Sequence, residues 1–159
     1  MLQSVQAVLE ALGARNLTLA VAEGDTGGLL LQALTAAPGS SAVVRGGVVA
    51  YHDDLKRGLL GVPLEVLRRH GSVSAEVAEA MARGVRTLAG ADVGLAATGI
   101  AGPGGATETK PVGLAFVAAV SAERSLVGAH HWQGDRQSNR AASAAAALQL
   151  ALELLEIDS

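Results

Sequence analysis

Two short apolar runs that each give way to a glycine-rich turn constrain this chain more than any other feature. Residues 17–22 are almost wholly apolar and lead into Glu23-Gly24-Asp25-Thr26-Gly27-Gly28. Residues 93–98 lead into a long loop, 99–111, rich in Gly and Pro. Apolar runs of this length suit strands buried on both faces, which requires helices above and below the sheet. The segments between them supply those helices. Val5, Val8, Leu9 and Leu12 fall at helical spacing within residues 4–14, and residues 29–37 read as a second helix. Residues 38–41 form a loop, and 43–51 a strand rich in Val and Gly. Short helices follow at 53–60, with acidic residues at its start, and at 63–69, with Pro in its first turn. Ser74 is positioned as the N-cap of a helix that runs to about Leu88 and stops at Gly90. Residues 113–120 and 126–132 predict a hairpin, and a last helix runs from near Asp135 to Leu155.

Alternation of this kind predicts a three-layer α/β/α sandwich around a mixed, mainly parallel sheet, as one domain over residues 1–159. Both glycine-rich turns follow strands, so both could lie at one carboxyl edge, where open α/β sheets bind ligands. Half of the residues are hydrophobic, yet the chain has one Trp, one Tyr and one Phe, so the core must be built from Ala, Val and Leu. A net charge of −3 argues against nucleic acid as a partner. The absence of cysteine excludes disulfides, thiolate nucleophiles and cysteine-ligated metals. His52, His70, His130 and His131 show no metal-ligand spacing, so no metal site is expected. No apolar run is long enough to span a bilayer, and the N-terminus lacks the pattern of a secretory leader. No membrane partner is therefore expected, and a cytoplasmic location is the default.

Four features can carry chemistry. The loop Gly99-Ile100-Ala101-Gly102-Pro103-Gly104-Gly105 is neither a Walker A loop nor a dinucleotide fingerprint, but its amides can face an anion. The turn after residue 22 opens a helix whose N-terminal amides favour anions; the same turn is equally compatible with plain capping by Asp25 or Thr26. Tyr51 and Lys56 stand at a strand–helix junction, and spacing alone favours a surface Lys and a half-buried Tyr. Arg136 and Arg140 share one helix face near its start, suited either to clamping a phosphate or to surface ion pairs.

Taken in order, these motifs resemble one family. AEGDTGG (22–28), PGSSAV (38–43), GVVAYHDDLK (47–56), LGV (60–62), HGSVS (70–74), TGIAGPGG (98–105), KPVG (110–113) and GDR (134–136) are similar to the C-terminal domain of the competence- and damage-inducible CinA proteins, the nicotinamide mononucleotide deamidases. The resemblance implies hydrolysis of nicotinamide mononucleotide to nicotinic acid mononucleotide and ammonia, in nicotinamide adenine dinucleotide salvage. It implies no cofactor and no metal, and a serine nucleophile assisted by a Tyr and a Lys, here Tyr51 and Lys56. The implied binding set is Thr26, Gly27, Gly28, Ser40, Ser41, Thr98, Gly99, Gly102, Gly104, Gly105, Arg136 and Arg140.

The family turn reads A-E-S-C-T-G-G, so the serine position is Gly24 and the cysteine position is Asp25. Gly24 has no hydroxyl, and a charge on Asp25 opposes a developing oxyanion. Losing such a nucleophile costs on the order of a millionfold in turnover, while binding survives. The expectation is a pyridine-nucleotide-binding homologue with weak or no turnover, a possible pseudoenzyme. Two alternatives stay open. One is an active amidohydrolase that uses Thr26, water activated by Asp25, or a nearby Ser40, Ser41 or Ser74. The other is a homo-oligomeric interaction domain that packs its Ala-rich helix, residues 141–155, against a second copy.

Overall fold

The computed structural model describes residues 1–157. In chain order the elements are α1 (Leu2–Ala14), β1 (Leu19–Glu23), α2 (Leu29–Ala36), a 3-10 turn (Ser40–Ala42), β2 (Val44–Val49), α3 (Asp53–Gly58), α4 (Leu64–His70), α5 (Ala75–Ala89), β3 (Val93–Gly99), β4 (Leu114–Val120), β5 (Ser125–His131) and α6 (Arg136–Ile157). The strands form one sheet in the order β2-β1-β3-β4-β5. β1 is parallel to both β2 and β3, whereas β3–β4 and β4–β5 are antiparallel. The sheet is therefore mixed, and β4 alone opposes the common direction.

The alternation of side chains along β1 explains why both layers exist. Leu19 and Val21 face a core shared with Val5, Val8 and Leu12 of α1, Leu30 and Leu34 of α2, and Leu148 and Leu154 of α6. Ala20 and Ala22 face the opposite core, shared with Val77, Met81 and Val85 of α5. Every residue of β1 is buried, as a strand covered on both sides must be. β5 closes one edge, and its residues alternate between half-buried and exposed.

The order of the strands sets the position of the site. From β1 the chain crosses through α2 to β2 on one side, then returns through α3, α4 and α5 to β3 on the other. Connections that leave neighbouring strands in opposite directions open a crevice at their carboxyl ends. Here that crevice lies beyond Glu23 of β1 and Gly99 of β3, where both glycine-rich turns begin.

The turn after β1 is built differently from expectation. Gly28 is the N-cap of α2 and has no side chain to cap with. The Glu23 carboxylate does that work from the end of β1. It accepts from the amides of Gly28 at 3.1 Å, Leu30 at 3.0 Å and Leu31 at 2.8 Å, and the residue is 1 % exposed. Asp25 and Thr26 do not cap the helix, and its first amides are not open to a ligand. Gly27 and Gly28, with φ of 59° and 99°, provide the left-handed backbone that brings Glu23 under the helix.

Candidate functional site

A cleft of ≈ 460 Å³ lies at this carboxyl edge, within the size range of small-molecule sites. Ten of the expected residues line it: Gly24, Asp25, Tyr51, Lys56, Thr98, Gly99, Gly102, Gly104, Gly105 and Arg136. Thr26, Gly27, Gly28, Ser40, Ser41 and Arg140 do not.

Lys56 and Tyr51 reverse their expected exposures. Lys56, in the short helix α3, is 3 % exposed, whereas Tyr51 is 63 % exposed on the rim. Spacing explains the first. Asp53 and Lys56 stand one helical turn apart on one face, and Lys56 Nζ donates to Asp53 Oδ1 at 3.0 Å. Asp53 also accepts a short hydrogen bond from the hydroxyl of Ser72, on the loop between α4 and α5. Burial pushes the Asp53 carboxyl up, but the bonds from Ser72 and Lys56 outweigh it and hold the group below its usual range. Both Asp53 and Ser72 line the cleft.

The loop that carries Ser72 is fastened from two directions. Thr98, at the end of β3, donates its hydroxyl to the Ser72 carbonyl at 2.8 Å. Lys110 donates to the carbonyl of Val73 at 2.7 Å and also to that of His70. Lys110 of the KPVG motif thus acts as an internal clamp on the HGSVS segment. Ser74 is occupied in turn, donating to the Gly71 carbonyl and capping α5 through the amide of Val77.

On the other wall, α6 organises the glycine-rich loop. Asn139, which is buried, donates to the Ala101 carbonyl at 3.1 Å and accepts from the Gly134 amide at 3.0 Å. Arg136 bridges the mouth, donating to the Gly102 carbonyl at 2.8 Å and the Tyr51 hydroxyl at 3.1 Å. Arg140 is turned under the first turn instead. It donates to the carbonyls of Asp25 at 2.9 Å and Thr26 at 2.8 Å. Among the described residues, the two arginines are therefore neither paired on the cleft nor engaged in surface ion pairs, because the turn after β1 draws Arg140 to its carbonyls. In addition to Gly102, this loop exposes Gly104 and Gly105 to the cleft.

Asp25 is the least comfortable group in the site. It is 9 % exposed, and its Oδ1 is buried without a hydrogen-bond partner among the described residues. Its other oxygen lies so close to Gly99 that a Cβ there would stand 2.8 Å away, which only glycine avoids. Desolvation raises its pKa to about 6, against the opposing pull of backbone amides and Arg140. Thr26 is fully enclosed and its hydroxyl has no partner among the described residues. It does not line the cleft. Ser40 and Ser41 lie in the 3-10 turn before β2, at the amino-terminal end of the sheet, because β2 starts beside Leu19 at the start of β1.

Four residues were missed from the sequence: Asp53, Ser72, Lys110 and Asn139. The three-residue spacing of Asp53 and Lys56 was the available signal for one of them. Ser72 had none beyond its place in a Gly-Ser loop, and the partners of Lys110 and Asn139 are distant carbonyls that no local pattern announces. Among the described residues, no group of three or more His, Asp or Glu side chains is placed to hold a metal, and no helix is long and apolar enough to cross a membrane.

The chain and its fold are similar to known proteins. A "CinA-like protein" of Desulfotalea psychrophila is 48 % identical over 145 residues, which cover 91 % of this chain and 35 % of the relative. The chain thus spans about a third of the length of that protein. Among solved structures, a competence/damage-inducible protein, CihA, of Agrobacterium tumefaciens is 37 % identical with a TM-score of 0.93, and the match covers 98 % of this chain and 94 % of that one. A CinA superfamily protein of Klebsiella pneumoniae is 34 % identical with a TM-score of 0.93, covering 98 % and 97 %. The model of the CinA C-terminal domain matches residues 2–155. A chain matched over nearly its whole length, with the sheet order and cleft described above, belongs to the CinA C-terminal domain family.

Proposed function

We propose that the cleft binds a pyridine mononucleotide, nicotinamide mononucleotide or a close relative, and that hydrolysis of its amide is weak because Gly24 stands where the family serine would attack. One observation carries the reading: the buried Lys56, the rim pair Tyr51–Arg136 and the loop from Thr98 to Gly105 converge on a single cleft, at whose edge position 24 has no side chain. In this reading the amides of the glycine-rich loop and the Arg136 guanidinium offer donors to the phosphate. Tyr51 is the aromatic ring at the mouth. Lys56 supplies the positive charge at the floor.

The test rebuilds the turn. A Cβ at position 24 would meet the Ala97 carbonyl at 3.3 Å and the Thr98 hydroxyl at 3.6 Å, a tight fit that a shift of a few tenths of an ångström relieves. Gly24→Ser combined with Asp25→Cys also removes the buried carboxyl. The double variant is expected to release ammonia from nicotinamide mononucleotide at roughly a hundred times the parent rate or more, given what a restored nucleophile contributes. A double variant that folds and binds the nucleotide but turns over no faster would contradict the assignment of position 24.

A further inference from the structure

Among the serines of the described residues, Ser72 alone lines the cleft. Its hydroxyl and the Lys56 amine converge on one oxygen, Asp53 Oδ1. Position 24 and Ser72 also flank the same threonine. A Cβ at 24 would lie 3.6 Å from Thr98 Oγ1, and that oxygen donates to the Ser72 carbonyl at 2.8 Å. Ser72 therefore stands across Thr98 from the position that lacks a side chain. Other hydroxyls are spoken for or out of reach: Ser74 caps α5, Thr26 is enclosed, and Ser40 and Ser41 sit at the far end of the sheet.

From this arrangement we infer that Ser72 is the nucleophile for the amide hydrolysis this chain retains, with Asp53 taking its proton and Lys56 holding Asp53 in place. The inference rests on the reading of the cleft as a site for an amide-bearing nucleotide. In the first step Ser72 Oγ bonds to the amide carbon as its proton passes to the Asp53 carboxylate. The carbon–nitrogen bond then breaks, the proton is delivered to nitrogen, and ammonia leaves. Water next attacks the Ser72 ester, giving one proton back to Ser72 Oγ through Asp53 and leaving the carboxylic acid. The balance is one amide and one water in, one acid and one ammonia out. Lys56 bonds the same Asp53 oxygen that faces the Ser72 hydroxyl and competes there with the incoming proton, which accords with slow turnover.

A small uncharged alkyl fluorophosphonate reports this directly, because it bonds to an activated serine without needing turnover. The full chain is treated with the probe and the adduct is located by mass spectrometry, with ammonia release from nicotinamide mononucleotide measured in parallel. The adduct is expected on Ser72, slowed at least about tenfold in Lys56→Met, and ammonia release is expected to fall roughly a hundredfold or more in Ser72→Ala. Ser72→Cys provides a second readout: in a chain without other cysteines, it should be alkylated by iodoacetamide in the folded state, and added nucleotide should protect it. Nucleotide affinity, measured by calorimetry on Ser72→Ala, separates the two claims. Binding that persists with an adduct elsewhere, no adduct, or unchanged ammonia release overturns the role of Ser72 alone. Absence of binding in the parent overturns the reading of the cleft.

Discussion

Asp25 shows how one side chain can work against the fold that holds it. The carboxyl is buried, one oxygen lacks a partner among the described residues, and Arg140 next to it binds carbonyls rather than the carboxylate. Its pKa is therefore raised, to about 6 from an ordinary value of 3.8. The sign of the linkage follows. Between these two values the folded chain holds a proton that the unfolded chain has released, so stability falls as pH rises through that window and stays low above it. The difference corresponds to a penalty on the order of 3 kcal/mol at neutral pH. Asp25→Asn should raise the urea midpoint at pH 7.5 by the equivalent of about 1–3 kcal/mol, and the advantage should shrink toward pH 4. A midpoint difference independent of pH would show that the carboxyl is not the destabilising group. Nothing in the sequence announced this burden. The acidic residue itself was visible, but the enclosure by Gly99 and Arg140 comes from β3 and α6, far along the chain.

Elements were more legible than residues. The boundaries of α1, α5, β3, β4 and α6 follow from apolar spacing, the Ser74 cap and the Gly90 stop, all local signals. What the sequence concealed is which group caps α2. An acidic residue at the end of an apolar run reads as the first polar residue of a turn. Only the chain reversal at Gly27 and Gly28 reveals that the Glu23 carboxylate meets three amides at the start of the helix. The consequence is specific to this element. Glu23→Ala leaves those amides without their acceptor and should destabilise the protein by about 3 kcal/mol, with the urea slope unchanged if native and unfolded compactness are preserved. Glu23→Gln, which keeps one carbonyl oxygen, should lose clearly less. Equal losses in chemical denaturation would show that the charge, not the acceptor geometry, governs the cap.

For the whole molecule, the legible part was the architecture and the hidden part was the way distant segments meet. Alternating elements placed both glycine-rich turns at one edge of a covered sheet, and the strand order puts the cleft at that edge. Ser40 and Ser41, which the family resemblance implied as binding residues, lie instead at the amino end of the sheet, because that is where the loop before a parallel strand sits. Arg136 and Arg140 were paired through a helical spacing that tertiary contacts override. The cleft that results is assembled from turns after β1, β2 and β3 and from the start of α6, so it exists only when the whole sandwich is formed. Its proposed occupant can be tested without any chemistry taking place. Calorimetric titration of the intact chain with nicotinamide mononucleotide should show saturable binding at one site per chain, weakened about tenfold or more in Arg136→Ala if that guanidinium meets the phosphate. A folded parent that takes up no pyridine mononucleotide would contradict the account at its centre.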